Sequence, residues 1–150
     1  MNSIASNLES LIDAYLPQLQ MLSETEFSSK PSPTKWSKKE IIGHLIDSAQ
    51  NNIRRFIVAQ YEETPTILYN QDKWVAINNY QSQEVSNIIQ LWYLINKQIA
   101  GIWKNTSTEA AQRASKSDEP HTIEWLAHDY IKHLKHHMHV VLNLAPVEYP

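Results

Sequence analysis

Apolar residues recur at three- and four-residue steps in four long segments of the chain. This spacing places them along one face of a helix, so it predicts four amphipathic α-helices. The segments run from Ile4 to Leu22, from Ser37 to about Tyr61, from Ser82 to about Lys104, and from Thr122 to Pro146. A shorter connecting helix is predicted for Gln71–Tyr80. Because no segment alternates as a strand does, the pattern predicts an all-α fold, a four-helix bundle.

The second long helix has the clearest start signal. Ser37 can cap its first turn, and Glu40, three residues later, can accept a hydrogen bond from the amide of the cap residue. Ser82 and Thr122 are the candidate caps of the third and fourth helices. The fourth helix must end before Pro146, which has no amide hydrogen and cannot continue it.

The connections between the long helices are unusually long. Ser23–Lys35 contains two prolines among serines and threonines, and Asn105–Pro120 is polar, so both are predicted to be loops, the second with room for one helical turn. Connections of about a dozen residues exceed the need of an up-and-down bundle. We therefore expect at least one to cross the end of the bundle or to cover a site.

The composition narrows the classes of function. The 150 residues fit one domain, 1–150, and the lack of cysteine restricts any metal site to nitrogen and oxygen ligands. A net charge of -3, from 13 basic and 16 acidic residues, argues against binding to nucleic acid. There is no leader-like start and no apolar run of about 18 residues, so we expect no membrane span and a cytoplasmic protein.

Six of the seven histidines follow residue 120 and fall on the fourth helix or just before it. On a helical wheel, His137 lies within the apolar arc and His133 lies at its edge, whereas His128 and His139 face away and His136 points sideways. His133 and His137 are one turn apart, a spacing that lets two imidazoles bind one metal ion. The alternative is that the two inward histidines are hydrogen-bonded core residues. The outward histidines are expected to be solvated in either case.

His44, on the second helix, is the only histidine outside the late cluster, so a third histidine ligand from elsewhere in the chain would have to be His44. His44 follows Gly43, and a glycine within a helix costs about 1 kcal/mol relative to alanine, which indicates close packing there. On the wheel, His44 lies away from the apolar stripe, near Ser48 and Asn51. We therefore expect a site in a cleft at the flank or end of the bundle; the alternative is a surface histidine.

Two motifs of the chain resemble the DinB/YfiT superfamily of metal-binding four-helix bundles. They are Trp36-Ser37 followed by Ile41-Ile42-Gly43-His44-Leu45-Ile46-Asp47-Ser48, and Asp129-Tyr130-Ile131-Lys132-His133-Leu134-Lys135-His136-His137. Residues 51–56 and the aromatic residues at positions 69, 74, 80 and 103 extend the resemblance over nearly the whole chain.

The resemblance implies a bundle with a crossover connection, often a homodimer, that holds one divalent transition metal, commonly nickel or zinc. The implied ligands are His44, His133 and His137, with His136 as the competing choice for the last. Trp125, on the outer side of the fourth helix, is a candidate interface residue.

The resemblance also implies a metal-dependent hydrolase or a thiol-dependent S-transferase that acts on a small molecule. An ion held by three neutral imidazoles keeps open positions that could activate water or bind a thiolate. Asp47, Asn51 and Asp129, each one or two turns from a histidine, are candidates to orient an imidazole, although solvated side chains are the simpler interpretation. The alternatives are a non-catalytic binding or stress-response bundle, and a structural helical dimer without metal.

Overall fold

A computed structural model describes residues 1–149, which form seven α-helices and one two-stranded sheet. The helices are α1 (Asn2–Gln20), α2 (Glu24–Ser28), α3 (Lys38–Val58), α4 (Gln71–Asn78), α5 (Val85–Lys104), α6 (Thr108–Ala111) and α7 (Ile123–Val141). The strands are β1 (Ala114–Lys116) and β2 (Pro120–Thr122), and a short 3-10 helix spans Tyr80–Ser82. Helices α1, α3, α5 and α7 are the four long helices that the sequence predicts.

The four long helices pack in a ring whose order differs from their order in the sequence. Helix α1 packs against α5 and α7, and α3 packs against the same two helices. The consecutive helices α1 and α3 therefore stand at opposite corners, and the connection between them must cross the end of the bundle. This arrangement confirms the predicted four-helix bundle with a crossover connection.

Aromatic side chains pack α3, α5 and α7 against one another. The ring of Phe56 on α3 meets the ring of Trp103 on α5 edge to face, with centroids 5.2 Å apart, and Tyr130 on α7 packs against Trp103 at 5.9 Å. The buried hydroxyl of Tyr130 donates a hydrogen bond to Oδ1 of Asn96 at 2.7 Å. These contacts fix the position of α7 beside α3, which is the helix pair that carries His44, His133 and His137.

Helix α3 begins as predicted. The Ser37 side chain accepts a hydrogen bond from the Glu40 amide at 3.2 Å, and the Glu40 carboxylate accepts one from the Ser37 amide at 2.8 Å. The same capping box, formed by Ser23 and Glu26, starts α2. The prediction of a continuous loop over Ser23–Lys35 was therefore wrong for α2, and the Ser-x-x-Glu spacing was the signal that identified it.

Two further details differ from the sequence prediction. Helix α5 begins at Val85 after Glu84, and Ser82 instead ends the 3-10 helix. The polar segment before α7 contains the helical turn α6, but it also forms the antiparallel pair β1–β2, which the sequence did not predict. Strands of three residues are too short to show alternation. Thr122 caps α7 as predicted, by accepting a hydrogen bond from the Trp125 amide.

The length and hydropathy of the helices bear on the question of a membrane span. Among residues 1–149, no helix combines the length and the apolar character that a membrane crossing requires.

Candidate metal centre

Three histidines converge where α3 faces α7. His44 comes from α3, and His133 and His137 come from successive turns of α7. The Nε2 atoms of His44 and His133 are 3.1 Å apart, and each of the three rings can offer one nitrogen that lies within 4.8 Å of the other two. The ring centroids are 4.6 to 5.1 Å apart, so the three imidazoles form one compact cluster.

The orientation of α7 explains why its two histidines point at α3. Leu134 and Met138, each adjacent in sequence to one of the histidines, are buried in the core and anchor this part of the helix. His133 and His137 are one turn apart, and they follow the edge of the buried face, where they remain half-buried. The structure directs His136 elsewhere, toward the backbone of the C-terminal segment.

His44 is more deeply buried than its sequence pattern predicts. Its side chain is 1% exposed, so the interpretation of His44 as a surface histidine was wrong. The helical wheel describes only the faces of α3 and carries no information about the chain that covers them. Here the ring of Trp36 lies against His44 with centroids 5.1 Å apart, and α7 covers the remaining side.

Burial keeps the three imidazoles neutral. Loss of hydration lowers the pKa of His44 and of His137 to about 4. The pKa of His133 is also lowered, first by burial and then by the proximity of the neighbouring histidines. At neutral pH each ring therefore keeps a nitrogen lone pair, which is the form that binds a metal ion.

The cluster fits a divalent transition metal on two grounds. Two nitrogens bound at about 2.0–2.1 Å to a tetrahedral ion lie about 3.3 Å apart, close to the 3.1 Å between His44 and His133. An all-imidazole donor set suits several first-row ions, including zinc and nickel.

The packing behind His44 depends on Gly43. A Cβ atom at this position would overlap the ring of Tyr80, which confirms the close packing that the mid-helix glycine indicated. The Tyr80 hydroxyl donates a hydrogen bond to Oδ1 of Asp47 at 2.6 Å, and Nδ2 of Asn78 donates to the same oxygen at 3.0 Å. Burial raises the pKa of Asp47 to about 6. These contacts fix α3 to the last residue of α4 and to the segment that follows it.

The three candidates for orienting an imidazole have other partners. Asp47 and Asn51 are fully buried, so the expectation that they are solvated was wrong. Nδ2 of Asn51 donates a hydrogen bond to the backbone oxygen of Asp47, and the Asp129 carboxylate accepts one from the hydroxyl of Tyr149 at 2.9 Å. Among residues 1–149, no hydrogen bond joins any of the three to the histidine cluster.

The remaining histidines of α7 divide into two kinds. His128 is exposed, as predicted. His136 and His139 are half-buried: their Nδ1 atoms donate hydrogen bonds to the backbone oxygens of Val147 and Ala145 at 2.7 and 2.6 Å. They hold the segment after α7 against the helix. The prediction of solvated side chains was therefore wrong for these two, because the wheel does not show the returning chain.

Two cavities flank the cluster. The first, here called the polar cavity, has a volume of about 340 Å³ and includes His133 in its wall. The second, here called the apolar cavity, has a volume of about 560 Å³ and includes His137 and Trp36. Gln71 contributes to both. The cluster therefore lies between two spaces of different chemistry, each of which reaches one of its histidines.

Sequence reasoning assigned no role in the site to three residues. Trp36 covers His44, the ring of Tyr149 lies 5.2 Å from that of His133, and Arg55 lines the polar cavity. The Trp36-Ser37 pair before the capping box was a weak signal for the first. No periodic pattern reaches Tyr149, since it lies beyond the last helix.

Comparison with known proteins agrees with the fold. The family model of the DinB superfamily matches residues 7–141. The chain belongs to the DinB superfamily. A relative in Bacillus subtilis (strain 168), "Putative metal-dependent hydrolase YfiT", is 20% identical over 131 residues, which are 85% of this chain and 74% of the relative.

Solved structures of two other proteins share this fold. YfiT, whose topology is described as an unusual four-helix bundle, matches 95% of this chain and 87% of its own at a TM-score of 0.72 and 20% identity. The mycothiol-dependent maleylpyruvate isomerase matches 97% of this chain at a TM-score of 0.78 and 16% identity. This chain covers 62% of that longer isomerase. At these identities, the similarity to the two solved structures establishes the fold of this chain and nothing more.

Proposed function

We propose that this DinB protein binds one divalent transition metal through His44, His133 and His137, and that it acts on a small molecule as a metal-dependent hydrolase or a thiol-dependent S-transferase. The observation that supports this proposal most strongly is the convergence of three neutral imidazoles, with His44 and His133 nitrogens 3.1 Å apart. A divalent ion held by these three residues would supply a Lewis acid.

The chain itself supplies rigidity, exclusion of water and access. His44 is held on α3 by Trp36 and by the packing around Gly43, so it needs little rearrangement to bind an ion. His133 and His137 are half-buried, which limits water at the cluster while leaving it open to the two cavities. Substrates can therefore approach from the polar or the apolar side.

The presence of two cavities favours a reaction that joins two molecules. An S-transferase must bring a thiol and an electrophile to one point, and spaces of different polarity can each hold one of them. Hydrolysis requires one substrate and water. Of the similar proteins described above, YfiT is named a putative metal-dependent hydrolase, and the isomerase is named as dependent on the thiol mycothiol.

We propose that the bound ion is nickel or zinc, since imidazole ligands suit both ions. We also propose a cytoplasmic homodimer, with Trp125 as a candidate contact; its side chain is 47% exposed and stacks on the ring of His121. Exposed aromatic residues are enriched at protein interfaces.

The function can be tested with protein purified without a nickel column, stripped with a chelator, and then loaded with zinc or nickel. Two assays are run in parallel: hydrolysis of an activated ester, and conjugation of a low-molecular-weight thiol to an electrophile. We expect metal-dependent turnover in at least one assay, lost in His44→Ala and kept in His128→Ala, which changes an exposed histidine of α7.

Turnover that persists in His44→Ala, or that needs no metal, would contradict the proposal. Bound metal without turnover in either assay would instead support the non-catalytic bundle.

A further inference from the structure

Arg55 occupies an unusual position in the polar cavity. It lies on α3, three turns beyond His44, and its side chain is half-buried in the wall that also contains His133. Its guanidinium donates hydrogen bonds to the backbone oxygen of Ile67, at 3.0 Å from Nη2, and to Oδ1 of Asn52, at 3.3 Å from Nη1. These neutral acceptors fix the guanidinium in place.

The charge of Arg55 has no partner in direct contact. Within residues 1–149, no carboxylate lies within ion-pair distance of its guanidinium. Burial lowers the pKa of Arg55, yet a guanidinium stays protonated in proteins. Of its five N–H donors, the hydrogen bonds to Ile67 and Asn52 use three. A half-buried cation with free donors in a cavity has the chemistry to bind a carboxylate.

The same cavity also contains two acidic side chains. Asp118, which is exposed, and Asp129 both line it without touching Arg55. The Asp129 carboxylate is oriented by the hydroxyl of Tyr149. A cavity with one cation and two separate carboxylates disfavours a ligand with several negative charges. It favours a ligand that carries a negative and a positive group some distance apart.

We propose that the polar cavity binds a zwitterionic small molecule, with a carboxylate on Arg55 and an ammonium group near Asp118 and Asp129. Since His133 lines the same cavity, a ligand held there would have its remaining atoms next to the histidine cluster. This inference rests on the proposed function only for the reaction that follows binding. The binding itself requires no metal.

The test uses three four-carbon probes that differ in charge: γ-aminobutyrate, butyrate and succinate. Binding to the full chain is followed in the NMR signals of the arginine Nε–H groups, of which the sequence has only three, and it is measured with and without added zinc. We expect saturable binding with a Kd on the order of 1 mM for γ-aminobutyrate, weaker binding of butyrate, and the weakest binding of succinate.

The matched variants are Arg55→Gln and Arg54→Gln, which change a cavity arginine and its exposed neighbour. Arg55→Gln should weaken γ-aminobutyrate at least about tenfold, because it removes a charge-assisted pair, while Arg54→Gln should leave binding unchanged. Asp118→Asn alters an exposed residue, so it should preserve the fold and reduce the preference for γ-aminobutyrate over butyrate.

Three results would overturn the inference: no saturable binding of any probe, tighter binding of succinate than of γ-aminobutyrate, or equal losses in the two arginine variants. Arg55 would then serve only to tie α3 to Ile67. Binding of γ-aminobutyrate to the metal-free protein supports the inference even if the histidine cluster holds no ion, so failure of the proposed function is a separate outcome.

Discussion

The ring of Tyr80 lies directly against the backbone of Gly43, in contact so close that no side chain fits at position 43. Through this contact the segment after α4 packs onto α3 immediately before His44, and the Tyr80 hydroxyl reaches Asp47 one turn further on. The helix that carries His44 is thus fixed from behind by one aromatic residue, and the energetic consequences of that packing can be measured.

Substitution of Gly43 by alanine should destabilise the protein, although alanine favours helix more than glycine does. The methyl group would overlap the Tyr80 ring, and overpacking of this kind costs about 1–3 kcal/mol, which exceeds the gain in helix propensity. We expect a lower free energy of unfolding in urea denaturation.

Gly101 provides the matched control for this experiment. It lies in α5, and a Cβ atom there would meet no atom within 4 Å. Gly101→Ala should therefore raise the free energy of unfolding by about 0.5–1 kcal/mol. If the two variants changed stability equally and in the same direction, the contact with Tyr80 would not limit position 43.

The buried carboxyl of Asp47 should make stability depend on pH. Its pKa is about 6 in the folded protein, above the ordinary value of 3.8, because burial disfavours the charged form. The stabilisation from its protonation is complete below pH 3.8 and is lost as the pH rises through about 6. From about pH 4 to 7, the wild type should lose up to about 3 kcal/mol relative to Asp47→Asn.

This dependence is measured by urea denaturation of both proteins across that range, in the presence of a chelator so that metal binding does not contribute. The Asn side chain stays neutral and can still accept the Tyr80 hydrogen bond. A difference between the two proteins that stays constant with pH would show that Asp47 has an ordinary pKa.

Trp36 should report on the occupancy of the histidine cluster. Its ring lies 5.1 Å from that of His44, so a paramagnetic nickel ion bound there should quench its fluorescence. Of the five tryptophans, we expect Trp36 to account for most of the quenching, and Trp36→Phe should remove it. Trp125→Phe is the control, because Trp125 lies eight residues before His133, about 12 Å along α7. Equal quenching in the two variants would place the ion elsewhere.

Much of the fold could be predicted from the sequence because its signals are local. The four long helices follow from apolar periodicity, and the Ser37–Glu40 capping box identifies where α3 begins. The crossover could be inferred from the length of the connections. By contrast, α2 was missed although Ser23 and Glu26 form the same box, because the prolines of that segment favoured a loop.

The candidate site was only partly accessible to such reasoning. The spacing of His133 and His137 is a property of one helix, so it could be identified in the sequence. The burial of His44 depends on Trp36, which lies outside α3, and on α7, which is remote along the chain. A helical wheel of α3 includes neither. The placement of Arg55 and Tyr149 in the polar cavity depends on tertiary packing alone, and no periodic pattern encodes it.

Elemental analysis of untagged protein, purified without a nickel column, tests the three-histidine site most directly. We expect about one divalent transition metal ion per chain in the wild type, and loss of that ion in the double variant His133→Ala, His137→Ala. The double variant His128→Ala, His139→Ala, which changes histidines outside the cluster, should keep it. Metal retained after removal of His133 and His137, or lost with His128 and His139, would contradict the three-histidine site.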